Sequence, residues 1–362
     1  MQGLSRNHTT PFRLLWVSFL ALLGLHAQAQ IGLRELSSQG MPITVLYPTA
    51  QSKQRLQRGP FEIEAAPDAP PLPGPRRLIV LSHGTAGNPW VDHALAATLV
   101  RAGFVVAQPL HRSDNFRDFS QAGPASWQTR PTDVSESIDA LSHDPVLGPL
   151  LRTDRVGVHG MSAGGVTGLA LAGAQWRTLN VVRHCNQHLE EDIGFCLNGL
   201  AQHPLQQQLR RSQFALARIT PDRFLPAAMH TLHGGRTTGE PRPDTRVAAV
   251  SLLVPVGAIF TPESLGRIRI PVGLTVAEAD EVLVPCLHSQ HVLTHCRSCR
   301  LLSSHAGSGH FDWLWPWPAA QAQMVAATQM RDGLPHAGFT PAQRQSAFNA
   351  ISAFFVQTLG HP

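Results

Sequence analysis

The sequence has a single lysine, Lys53, and a single tyrosine, Tyr47, among 362 residues. Nearly all of its 29 basic residues are therefore arginines, and they are scattered, with no run longer than two. Charged residues make up only 15% of the chain. The formal charge of +5 could attract an anionic partner, but a nucleic-acid surface needs clustered cations and none is visible. Five cysteines are too few for a fold built on disulfides. Beyond residue 29, no apolar run approaches the roughly 20 residues that a membrane helix requires. Internal repeats and low-complexity tracts are also missing. A hydrophobic share of 43% excludes a disordered chain and suits one large α/β domain.

The first 29 residues differ from the rest. Arg6 and Arg13 precede the apolar run "LLWVSFLALLGL", and Ala27-Gln28-Ala29 follows with small residues in an A-x-A arrangement. This is the layout of a secretory signal peptide cut after Ala29. Left uncut, the same run would be a short anchor. Cleavage removes two arginines and no acids, leaving 27 − 24 = +3. The expected product is secreted or periplasmic, and in an oxidising compartment cysteines pair. Cys185 and Cys196 are the first pair expected. Of Cys286, Cys296 and Cys299, one is left over, and spacing does not say which.

After the leader, "IGLRELSSQGMPITVLYPTA" predicts a β-hairpin, and the proline-rich stretch from about Pro60 to Pro75 a surface loop. The rhythm then changes. "RLIVLSHG", "FVVAQPL", "RVGVHG", "VAAVSLLVP" and "IRIPVGLTVAEAD" read as buried strands. Helical stretches alternate with them: "HALAATLVRAG", "RPTDVSESIDALSHD" opened by Pro131, "AGGVTGLALAGAQW", a helix from about Pro285, and a closing helix from about Pro341 to Leu359. Strands apolar throughout, alternating with helices, predict a mostly parallel sheet covered on both faces. The alternation stalls over 177–245, which reads as a lid-like insertion within one domain spanning 30–362.

Chemistry concentrates where "RVGVH" meets "AGGVTG", in the pattern Gly160-x-Ser162-x-Gly164. A serine on a sharp strand-to-helix turn is exposed on a strained backbone, and flanking glycines remove side chains that would collide across the turn. The following helix directs free N–H groups at it. Such a serine needs a histidine base and an orienting acid, which on this architecture follow it in the order acid, histidine. Asp280, just past a strand, is the expected acid, with Glu278 and Glu281 as rivals. His310, in the glycine-flexed "GSGHFDWL", is the expected base, with His305 as its rival; Asp312 reads as a helix cap. The N–H of Ala163 and that of Thr85, in "LSHGTAG", are the expected oxyanion donors.

These segments, with "NPWVDHALAATLVRAGFVVAQPLHRSDN" and "EVLVP", resemble the predicted dienelactone hydrolases. That family comprises bacterial relatives of the platelet-activating-factor acetylhydrolases within the α/β-hydrolase superfamily. The resemblance implies an α/β-hydrolase fold, with Ser162 as nucleophile, His310 as base and Asp280 as acid. There are two departures. Met161 stands where many relatives have histidine, and "VSLLVPVGAIF" offers no carboxylate where the acetylhydrolases place their acid.

Beside the expected base, Phe311 and Trp313 are candidates to line a substrate pocket, but anchoring the last helix is the reading preferred for this aromatic cluster. His288, His291, His295, Cys296 and Cys299 are zinc-ligand types, but a disulfide and a polar helix face explain them as well. The resulting expectation is a serine esterase with no metal or organic cofactor. It would act on a short-chain ester, a lactone or an acetylated lipid, with no nucleic-acid partner. A non-catalytic binding protein of the same fold and a zinc-dependent hydrolase are the alternatives.

Overall fold

A computed structural model describes residues 29–197, 204–219, 238–239, 243–314, 318–327 and 335–361. The leader expected over 1–29 lies, but for Ala29, outside them. Ten strands form one sheet: β1 (Gln30–Ser38), β2 (Met41–Thr49), β3 (Gln54–Arg58), β4 (Phe61–Pro67), β5 (Arg76–Ser82), β6 (Val105–Pro109), β7 (Leu151–Met161), β10 (Val247–Leu253), β11 (Val272–Ala277) and β12 (Cys299–His305). Two-residue strands β8 (Trp176–Arg177) and β9 (Thr238–Gly239) form a separate ribbon. Their order across the main sheet is 12-11-10-7-5-6-2-1-4-3. From β6 to β12 every pairing is parallel, whereas β2 is antiparallel to both β1 and β6.

Helices cover both faces. α1 (His93–Arg101) and the closing helix α10 (Pro341–Leu359) share one face, where Leu95, Leu99, Phe348 and Phe355 pack on Ile79 and Val106. α2 (Pro124–Ser142), α3 (Ala163–Leu171) and α8 (Ser289–His295) take the other, with Val134, Val166 and Val292 against Val80, Val158 and Leu252. The strands read as apolar throughout because both their faces are covered. In the insertion stand α4 (Thr178–His188), α5 (Ile193–Cys196) and α6 (Pro204–Ile219). The short α7 (Pro262–Leu265) follows β10, and α9 (Ala319–Ala327) precedes α10. No helix of the described residues is long and apolar enough to cross a membrane.

Two local expectations are corrected. The proline-rich stretch is not all loop: Phe61–Pro67 is β4, paired to β3 and β1, and its prolines cluster only beyond Pro67. Helix α2 begins at Pro124, a full two turns before Pro131. Pro131 sits inside it, where the missing N–H frees one carbonyl of the preceding turn and does not stop the helix.

The parallel register sets the carboxyl ends of β5, β7 and β10 side by side, with Ser82 beside Gly160 and Leu253 beside Met161. There the chain turns sharply into α3. Ser162 takes φ 54°, in the left-handed region, and its N–H donates to the Leu253 carbonyl at 3.1 Å. The turn closes so tightly that a Cβ on Gly160 would lie 2.1 Å from the Gly164 carbonyl oxygen. A Cβ on Gly164 would lie 1.9 Å from the Ser82 carbonyl oxygen. Backbone, not movable side chain, occupies both places. Gly164→Ala is therefore expected to lower stability by more than the about 1–3 kcal/mol of ordinary overpacking, measured by chemical denaturation. A loss below 1 kcal/mol would contradict the contact.

The N-cap of α1 carries a second consequence. Asp92 is buried, makes no side-chain cap, and burial pushes its carboxyl up to about 7. A folded-state pKa above the unfolded one means that stability falls as pH rises from about 4 to 7, because only the unfolded chain ionises readily. Asp92→Asn should raise the melting temperature progressively across that range and level off above it, with a gain on the order of a few kcal/mol. A gain independent of pH would show that ionisation is not its source.

Candidate active site

The structure brings Ser162, His310 and Asp280 into one line. Asp280 ends the loop after β11, and His310 stands in the loop after β12. The Asp280 Oδ1 accepts from the backbone N–H groups of Val282 (2.8 Å) and Leu283 (2.7 Å), which fixes the carboxylate. Its Oδ2 lies 2.8 Å from His310 Nδ1. A carboxylate only accepts, so Nδ1 carries the proton and Nε2 turns its lone pair to the Ser162 hydroxyl, 3.0 Å away. Asp280 and His310 are buried while Ser162 is half-buried, so the hydroxyl is the member of the set that a ligand can reach. The arrangement can take a proton from the hydroxyl and return it to a leaving group.

Two of the rivals, Glu278 and His305, stand elsewhere. Glu278 accepts from the Ser304 hydroxyl at 2.6 Å, and the His305 ring packs against Trp313. Asp312, expected as a helix cap, instead accepts from the N–H of Gly309 (2.7 Å) and of His336 (3.0 Å), tying down the loop that carries His310. Of the aromatic candidates, Phe311 lies edge-on to the His310 ring at 4.9 Å and is half-buried. Trp313 takes the anchoring place and not the pocket. It is enclosed with Met161, Leu253, Val254 and Ala347, so its bulk packs behind the serine turn.

Ala163 begins α3, so its N–H is one of the helix's unpaired donors. Thr85 is exposed at the tip of the turn after β5, and a Cβ on the neighbouring Gly84 would sit 3.4 Å from the Ser162 Cβ. Beneath this turn lies a buried polar system that no sequence pattern announced. Arg130 on α2 is fully buried and pairs with Asp114 at 2.7 Å. Ser82, His111 and Asp133 form a chain of hydrogen bonds of 2.8 and 3.0 Å, also buried. Burial lowers the pKa of His83 and His111, with nearby Arg130 acting in the same direction. Burial pushes Asp114 up, but the Arg130 cation and the Ser126 hydroxyl outweigh it and hold the carboxyl below its usual range.

The cysteines divide as Cys185–Cys196 and Cys296–Cys299, leaving Cys286 free and exposed. That pairing removes both sulfurs from the candidate zinc set, and His291 donates to the Phe260 carbonyl at 2.8 Å. His288 belongs to a different group. The Nε2 atoms of His184 and His288 each lie 2.7 Å from Asp192 Oδ2, close enough together to hold a metal. The His288 Nδ1, however, accepts from the N–H of Gly257 at 3.1 Å. Its proton is then on Nε2, which donates to Asp192 and has no lone pair for a metal. The group is a hydrogen-bonded clamp. Burial raises the Asp192 carboxyl, but the two imidazoles more than offset this and hold it far below the usual range. Its Oδ1 also accepts from Val284 N–H at 3.2 Å, tying the root of the insertion to the loop that follows Asp280.

No family model and no curated protein matches the chain. Among solved structures it is similar to a ferulic acid esterase from Streptomyces cinnamoneus, at 16% sequence identity, over 92% of this chain and 91% of that one, with a TM-score of 0.55. At that identity the likeness is one of fold, and with the ten-stranded, mostly parallel sheet it identifies the architecture of this chain as the α/β-hydrolase fold.

Proposed function

We propose that the chain is a serine hydrolase of carboxylic esters, working through an acyl-enzyme. The observation that carries this reading is the aligned hydroxyl, imidazole and carboxylate, with only the hydroxyl open to a ligand. His310 takes the proton of Ser162 as its oxygen attacks the ester carbonyl. The negative charge on the former carbonyl oxygen is met by the N–H groups of Ala163 and Thr85. His310 then protonates the leaving alcohol, and afterwards activates the water that releases the acid. Asp280 holds the ring in the required tautomer throughout. No metal or organic cofactor takes part in this sequence of steps.

The substrate is a small ester: a short-chain ester, a lactone or an acetylated lipid. Phe311, beside His310, lines the acyl side. The similarity to a ferulic acid esterase supports ester hydrolysis and adds aromatic acyl groups to the substrates worth testing. Two disulfides and the leader-like first 29 residues support export to a secreted or periplasmic location. The resemblance to the predicted dienelactone hydrolases is the family-level part of the proposal.

The test is intact mass after fluorophosphonate treatment, followed by peptide mapping. One adduct on Ser162 is expected, none in Ser162→Ala, and a rate at least about a thousandfold lower in His310→Ala. Hydrolysis of p-nitrophenyl acetate should fall in parallel. Folded protein that takes no adduct would sink the reading.

A further inference from the structure

The buried arginine under the Gly84–Thr85 turn is bonded to the backbone of that turn as well as to its ion-pair partner. Arg130 Nη1 donates to the His83 carbonyl at 2.5 Å, and Nη2 reaches the Gly84 carbonyl at 3.2 Å and the Asp114 carboxylate at 2.7 Å. The Gly84 carbonyl also accepts from His83 Nδ1 at 2.7 Å and from Gly87 N–H at 3.2 Å. That use of Nδ1 leaves His83 Nε2 as an acceptor, and it takes the His111 N–H at 3.3 Å, so the ring is a neutral, fully used spacer. Asp114 completes the frame by accepting from Ala86 N–H at 3.0 Å and from the Ser126 hydroxyl at 2.6 Å. Ala86 itself is held at φ 54°, in the left-handed region.

A trans peptide is planar, with its C=O and N–H on opposite sides. Two successive carbonyls drawn inward to one guanidinium therefore turn the N–H groups of Gly84 and Thr85 outward. Neither N–H has a hydrogen-bond partner among the described residues. Ser162 lies directly beside this turn, since a Cβ on Gly84 would sit 3.4 Å from the Ser162 Cβ and 3.9 Å from its Oγ. We propose that Arg130, with Asp114, is a positioning residue for ester hydrolysis: its forked donors lock the oxyanion turn so that the Thr85 N–H faces the oxygen bound at Ser162. This rests on the serine-hydrolase reading above. A lysine could balance Asp114 but has one nitrogen where Arg130 meets the His83 and Gly84 carbonyls with two.

The experiment counts working serines before it measures rate. Wild type and the R130M/D114N double variant, which leaves no lone buried charge, are titrated to completion with a fluorophosphonate. Turnover of p-nitrophenyl acetate is then expressed per labelled serine. The expected result is a kcat per site lower by about 10²–10³-fold, with KM changed less than threefold, as for loss of one oxyanion donor. A purely structural role would lower the melting temperature and the number of labelled serines but leave kcat per site unchanged. If the double variant does not fold, R130K gives the same reading, with a fall of at least tenfold expected. A labelled wild type whose variant keeps kcat per site within tenfold overturns the proposal alone. A wild type that takes no label at Ser162 overturns the hydrolase reading and this proposal with it.

Discussion

The close approach of Gly164 to the Ser82 carbonyl is the contact on which the rest of the site depends. It brings the start of α3 against the end of β5, and so sets Ser162 beside the turn that carries Gly84 and Thr85. Because the neighbours are backbone atoms, the distance cannot be adjusted by a rotamer change. The strain at Ser162 is held by the sheet, through the hydrogen bond to Leu253 and the register of β7 between β5 and β10. A strained residue persists only where its surroundings determine it fully, and here three strands do so.

Around this contact, charge is handled in two ways. Asp280 is satisfied by backbone N–H groups from its own loop, so its position owes little to distant elements. Asp114 and Asp192, by contrast, are satisfied by side chains of other elements, the first by Arg130 on α2 and the second by His184 on α4 and His288 just before α8. Breaking one partner of such buried pairs leaves a charge without water, which costs several kcal/mol. These links therefore contribute more to fixing the shape of the rim than to net stability. Asp114 fastens the turn whose Gly84 lies against Ser162, and Asp192 fastens the loop that follows Asp280.

Ser162 could be read in the sequence because its signal is local: three glycines within six residues at one strand-to-helix junction. Asp280 and His310 could be read because parallel strands place their carboxyl ends at one edge, so chain order limits the choice. Arg130 and Asp114 could not. They stand on a helix and a loop 16 residues apart, and only tertiary packing makes them meet. Pro131 hid this helix further, by marking as a start what is its middle. Trp313 was legible as an aromatic that either lines a pocket or anchors the last helix, and its contact with Ala347 on that helix gives it the second place. Cys286 as the free thiol depended on which backbone segments approach, and spacing carries no such information.

The Asp192 clamp bears on how much the insertion beside this sheet edge can move. The root of the insertion is cross-linked by Cys185–Cys196, and through Asp192 it is bonded to the loop that follows Asp280. Swinging that root outward would part Asp192 from the His288 imidazole and the Val284 N–H, leaving a buried carboxylate short of two of its donors. It behaves as masonry and not as a hinge. Held by a disulfide within and hydrogen bonds across, this root keeps one contour, so change there falls to its surface side chains while the clamp stays intact.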